Sequence, residues 1–144
     1  MTTLIYLSIL LLLSVLIGSM VFFSFILSPL IFMKLDAPVA ARFIRAVFPW
    51  YYLEIIVLGA LTSVLLAAQD LILALCMGGV TVAGLYTRFW LMPKLNRWRD
   101  KGKKGDDAAQ ARFDAGHRVS VWINGFQLLA VFAVLVLFVL PGGV

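Results

Sequence analysis

His117, Ser120, Asn124 and Gln127 are spaced by three, four and three residues. On a helix of about 3.6 residues per turn, that spacing keeps them on one stripe. Such a stripe has two uses. It hydrogen-bonds to neighbouring helices, at roughly 0.6 to 2 kcal/mol per contact, or it lines a polar cavity. His117 is the only histidine of the chain. It reads as an interfacial residue bonded to a neighbour, as a proton acceptor, or as an axial ligand of a haem or metal. A multi-histidine metal cluster within one chain is excluded, although a dimer would supply a second histidine. The single cysteine excludes an internal disulfide framework.

Glu54 stands inside an otherwise apolar stretch, roughly 7.5 Å along a helix from Pro49. A carboxylate in hydrocarbon stays neutral or finds a cation. Arg88, His117 and Arg118 are the cations expected at similar depth. The pairing serves either to set helix register or to carry a proton, an ion or a ligand. Ser28, with Ser24 one turn before it, is placed to meet the His117–Gln127 stripe. The candidate ligand-binding set is therefore Glu54, His117, Ser120, Asn124, Arg88 and Ser28. No catalytic residue and no metal site is identified. The sequence carries no G-x-S-x-G elbow, Walker loop or H-E-x-x-H pair.

What positions these residues is a membrane fold. Of the 144 residues, 63% are hydrophobic and only 13% charged, and the mean hydropathy is +1.04. Soluble domains carry about 25% charged residues, so a soluble fold, a disordered tail and a nucleic-acid module are all excluded. A spanning helix needs about 20 apolar residues. Four segments qualify, at about 4–33, 49–68, 71–92 and 117–140. The expected architecture is a single all-α domain over 1–144, an integral membrane four-helix bundle. The first segment lacks a basic leader and is too long for a cleaved signal h-region, so it reads as a permanent span. Pro29 is expected to kink or end it.

Only Gln69 and Asp70 are polar between spans 2 and 3, so that turn is expected to be tight and those spans antiparallel neighbours; the connections 34–48 and 93–116 differ from it. The first is amphipathic and predicts a short interfacial helix between spans 1 and 2, with Asp36 as N-cap and Pro38 in its first turn. The last is a long loop with a mobile centre around Lys101–Asp107 and a helical end, 108–114. All 12 Lys and Arg fall in or beside these two connections. The positive-inside rule then places both in the cytoplasm and both termini outside, in a bacterial inner (plasma) membrane. The net charge of +5 serves topology and attraction to anionic lipid headgroups, not nucleic acid. Trp50, Tyr51, Tyr52, Trp90 and Trp98 are expected to form an aromatic belt on that face. Small-residue faces at Gly59-Ser63-Ala67 and Gly79-Ala83 read as helix packing surfaces, within the chain, in a homo-oligomer or with other membrane proteins.

Two patches resemble the transmembrane protein 205-like family. One is Gly18 to Leu35 with Phe25, Ser28-Pro29 and Phe32, followed by Phe48-Pro49-x-Tyr51. The other is Phe113-x3-His117-x2-Ser120-x3-Asn124, and Pro93 after the third span also fits. Arg118 departs from the glycine that commonly follows the histidine there. The resemblance implies a four-helix membrane domain without an agreed activity. It carries over His117, Ser120 and Asn124 as a shared motif of unassigned role. The leading expectation is a non-enzymatic bundle that binds a small ligand or ion, serves transport or binds a partner, through a cytoplasm-facing polar pocket. The alternative is a haem- or redox-associated membrane enzyme with His117 as ligand, the cofactor being otherwise unknown. A third expectation is a purely structural module.

Overall fold

A computed structural model of the protein describes residues 3–140. In hydrocarbon a backbone must satisfy its own N–H and C=O groups, and a helix does this within one segment. The chain accordingly forms α1 (Thr3–Val21), a wide π-turn over Phe22–Leu27, α2 (Ser28–Lys34), α3 (Ala37–Leu66), α4 (Leu71–Tyr86), a second π-turn over Thr87–Leu91, α5 (Met92–Gly102) and α6 (Asp107–Val139). These join into four rods, Thr3–Lys34, Ala37–Leu66, Leu71–Gly102 and Asp107–Val139, each long and apolar enough to cross a membrane. The protein is an all-α, multi-pass integral membrane protein.

Both π-turns stand directly before a proline. Ser28 N–H donates to Phe23 O ahead of Pro29, and Met92 N–H donates to Thr87 O ahead of Pro93, each five residues back. In a regular helix the proline ring collides with the carbonyl four residues earlier. Widening the turn by one residue clears that carbonyl without ending the helix. Pro29 therefore does not end its span, which continues to Lys34.

Two expectations about the connections need correction. No separate interfacial helix lies between spans 1 and 2. Residues 37–48 are the opening turns of α3, which runs unbroken through Pro49. Their apolar face, Ala40 and Ile44, packs against Ile31 of α2 rather than against headgroups. Asp36 and Pro38 do hold the predicted start positions, although the Asp36 side chain makes no cap bond. The long loop 93–116 is likewise mostly helix. Its Lys- and Gly-rich centre shrinks to a turn that Gly105 closes at φ 92°. Asp106 caps α6 by accepting from Ala109 N–H at 2.9 Å. The reason is packing: Leu95 of α5 and Ala109 of α6 are both buried at this hairpin. A Cβ added at Gly116 would lie 2.6 Å from Leu95 Cδ2. The predicted helical end of this segment is present.

The turn at Gln69-Asp70 is as tight as predicted. Asp70 Oδ1 accepts from Ile72 N–H at 2.8 Å and Leu73 N–H at 3.0 Å, satisfying two of the free donors that begin α4. α3 and α4 form the most closely packed pair. Gly59 permits this, since a Cβ there would meet Thr81 Oγ1 at 2.7 Å, and Ser63 Oγ donates to Ala74 O at 2.7 Å. At Gly79 nothing lies within 4 Å of an added Cβ, and Gly79 and Ala83 border a shallow groove against Ile123 and Phe126 of α6 instead. In the half of the bundle nearer the termini, Ile9, Leu13, Leu16, Leu66, Met77 and Val131 are completely buried, forming a dry core.

Candidate functional site

The other half of the bundle is built differently. The first π-turn brings Ser24 to α6, where Asn124 Nδ2 donates to Ser24 Oγ at 2.9 Å. Tyr51 OH of α3 donates to Asn124 Oδ1 at 2.5 Å. One amide thus ties three spans together at depth. Phe23 stacks on Tyr51 with ring centroids 4.1 Å apart, and Phe48 on Tyr52 at 5.8 Å. This aromatic group walls two adjoining cavities of about 200 and 160 Å³, which share Ser28, Phe32, Phe48, His117 and Ser120. The smaller cavity ends at Ser24, Tyr51 and Asn124. The larger opens toward the basic end, past Asn96, Arg45 and Arg99.

Ser120, Asn124 and Gln127 of the stripe face inward, as their spacing predicts, whereas His117 is exposed, and the members do different things. Ser120 is buried and lines the cavities, yet its hydroxyl donates to His117 O in its own helix at 2.8 Å. His117 lines both cavities at their outer rim and stacks on Phe113 at 6.0 Å. Gln127 turns the other way and donates to Val80 O of α4 at 2.9 Å. Its Oε1 is buried without a partner.

Ser28, His117, Ser120 and Asn124 are therefore brought together. Glu54 and Arg88 are not. Neither lines either cavity. Among the described residues the one ion pair is Arg45 with Asp100, at 2.7 Å, so the expected pairing of Glu54 with a cation does not form. Arg88 instead donates to Pro49 O of α3 and lies over Phe89. Glu54 sits half-buried beside, not on, the internal face of α3, which runs Tyr51, Ile55, Gly59, Thr62, Leu66.

That face also corrects the aromatic belt. Trp50 and Trp90 are exposed, as a lipid-facing belt requires, whereas Tyr51 and Tyr52 are 5% and 2% exposed. Two steps of four back from Gly59, through Ile55, lead to Tyr51, and a step of three from Ile55 leads to Tyr52, which places both inside. At the basic end, Arg45 holds Asp100 with two bonds, 2.7 and 3.3 Å, tying α3 to α5. Arg99 lies 5.6 Å over the Phe113 ring. The sequence offered no signal for Asn96 and Arg99, because the segment carrying them read as a loop. Among the described residues no three His, Cys, Asp or Glu converge as metal ligands.

The chain belongs to the family described as a domain of unknown function, DUF4149, which it matches over residues 11–104. No curated protein and no solved structure matches it. The DUF4149 match ends in the turn before α6. Ser24, Ser28, Arg45, Tyr51 and Arg99 thus lie inside the matched stretch, while His117, Ser120 and Asn124 face them from outside it.

Proposed function

We propose that this protein is a non-enzymatic ligand-binding bundle of a bacterial inner membrane, related within DUF4149 to the transmembrane protein 205-like proteins, serving capture or transport of a small molecule. The observation that carries this reading is the pair of adjoining cavities between α2, α3, α5 and α6, closed at depth by the Tyr51–Asn124–Ser24 bonds. Concave sites with apolar walls and a few convergent polar groups are the usual form of a small-molecule site. The lopsided distribution of Lys and Arg supports a cytoplasmic basic end with both termini outside. Anionic headgroups then gather around that end.

The test fills the cavity. Native mass spectrometry of the purified chain is expected to show a retained small molecule that is absent from Ser120→Phe. If the filled variant retains the same species and complements the same cellular phenotype, the reading fails. For topology, Gln69→Cys and Lys103→Cys in a Cys76→Ser background are compared with an impermeant maleimide. Labelling at position 69 in intact cells, and at 103 only after lysis, is the expected pattern.

His117 on the cavity rim also keeps the haem reading in play. That reading requires a Soret band lost in His117→Ala. A colourless protein, expressed with haem supplied, dismisses it.

A further inference from the structure

Resting on the ligand-binding reading, we infer that the occupant is an anionic amphiphile, a lipid with a phosphate head, which enters sideways from the bilayer between α2 and α6. Three observations converge. The first is the lateral gap. α1 packs on both α3 and α6, but α2, below the π-turn, packs on α3. The flanks of the opening, Phe32 on α2 and His117 and Val121 on α6, are exposed. A solute arriving from water has no need of a lipid-facing slot.

The second is charge. The larger cavity is lined by Arg45, Arg99 and His117, and no carboxylate lines either cavity. Arg45 already holds Asp100 with two bonds, which leaves Arg99 as the lining guanidinium without a carboxylate partner, and Asp114 accepts from Gln110 at 3.0 Å. Arg99 has an aromatic face beneath it but no anion. The Arg99 guanidinium suits the oxygens of a phosphate, which it binds as a forked pair. A metal cation is repelled by the same set.

The third is the division along the cavity. The arginines lie where α3 and α5 turn basic, at the edge of the apolar stretches. Inward from them the walls are Phe23, Phe32, Phe48 and Val121. A charged head at the arginines and a chain against the phenylalanines matches both halves. Basic pockets between spans bind lipid headgroups in this way.

The experiment uses the full chain, purified and delipidated in a neutral detergent, and followed by native mass spectrometry. Phosphatidylglycerol, phosphatidylcholine and inorganic phosphate are titrated separately. The expected result is saturable binding of one phosphatidylglycerol, about tenfold or more weaker in Arg99→Gln, as loss of a charged hydrogen bond predicts. Arg99→Lys retains more than Arg99→Gln. Arg97→Gln, the same charge change on the exposed side of α5, leaves binding within about twofold. Unfolding profiles of the variants check that the fold survives.

Equal binding of phosphatidylcholine overturns the inference. So does an equal loss in Arg97→Gln, which would mean surface attraction alone. Displacement of the lipid by inorganic phosphate would make the ligand a soluble anion and overturn lateral entry. A retained molecule lost in Ser120→Phe but indifferent to Arg99→Gln sinks this inference and keeps the broader reading. Binding untouched by Ser120→Phe sinks both.

Discussion

The two halves of the bundle solve the same problem by different means. Near the termini, Ile9, Leu13, Leu16, Met77 and Val131 meet with no exposed surface, and the buried Thr62 hydroxyl bonds within its own helix, to Leu58 O. Toward the basic end, helices are joined by specific hydrogen bonds and stacked rings around open space. Lipid tails are as apolar as leucine, so burial alone does little to hold membrane helices together. The first half relies on close packing and dispersion. The second accepts poorer packing, and the Asn124 bonds compensate for it locally. A region that gives up packing density in the middle of an otherwise tight bundle is the place to look for a bound molecule.

This comparison is open to direct attack. The largest expected effect is in the dry half, where Leu13→Ala should cost about 2–5 kcal/mol through lost contacts and a cavity, read as a shift in denaturant-induced unfolding. Phe32→Ala at the cavity rim, already 56% exposed, should cost under about 1 kcal/mol. Similar costs at both sites would erase the distinction.

Next comes Asn124→Leu, which strands the Tyr51 hydroxyl and the Ser24 oxygen in hydrocarbon. A loss of about 1–2 kcal/mol is expected. Combining it with Tyr51→Phe should add little, since the pair acts as a unit. Full additivity would show that the bond does not join the helices.

Gln127→Leu offers the sharper contrast, one turn away on the same stripe. Its Oε1 has no partner, and Val80 O keeps its place in the helix ladder when the amide is removed. The change is therefore expected to fall within about 1 kcal/mol of neutral. The smallest effect belongs to the exposed pair Arg45–Asp100, with side chains 43% and 51% exposed. Asp100→Asn should cost no more than about 1 kcal/mol, fading as salt is raised. A salt-independent loss at Asp100 would mean that the basic end is held more like the dry half.

Much of this architecture was legible in the chain itself. Four predominantly apolar stretches gave four spans, and the Gln69-Asp70 turn gave an adjacent antiparallel pair. The three-four-three spacing on α6 gave the face that carries Ser120, Asn124 and Gln127 inward. Where the reading failed, the cause was tertiary. Residues 37–48 looked amphipathic enough for the interface, but their apolar face found Ile31 instead of lipid. The segment 93–116 looked like a loop because its residues are polar. Leu95, Ala109 and Gly116 nevertheless pack it into a helical hairpin. Glu54 was expected to have a charged partner because hydrocarbon penalises a lone carboxylate. Its helical phase, one step off the Tyr51–Leu66 face, leaves it beside the cavity rather than in it.

What the residues decide unaided is that this chain lives in a bilayer, crosses it four times and collects its positive charge at one end. These are sums over many side chains, and they need no knowledge of neighbours. Which side chains meet is another matter. It depends on helix phase and on the two π-turns, each of which rotates everything beyond it by a single inserted residue. A proline shows where such a turn can occur. Only the packed bundle decides whether the helix widens there, as at Pro29 and Pro93, or runs straight on, as at Pro49.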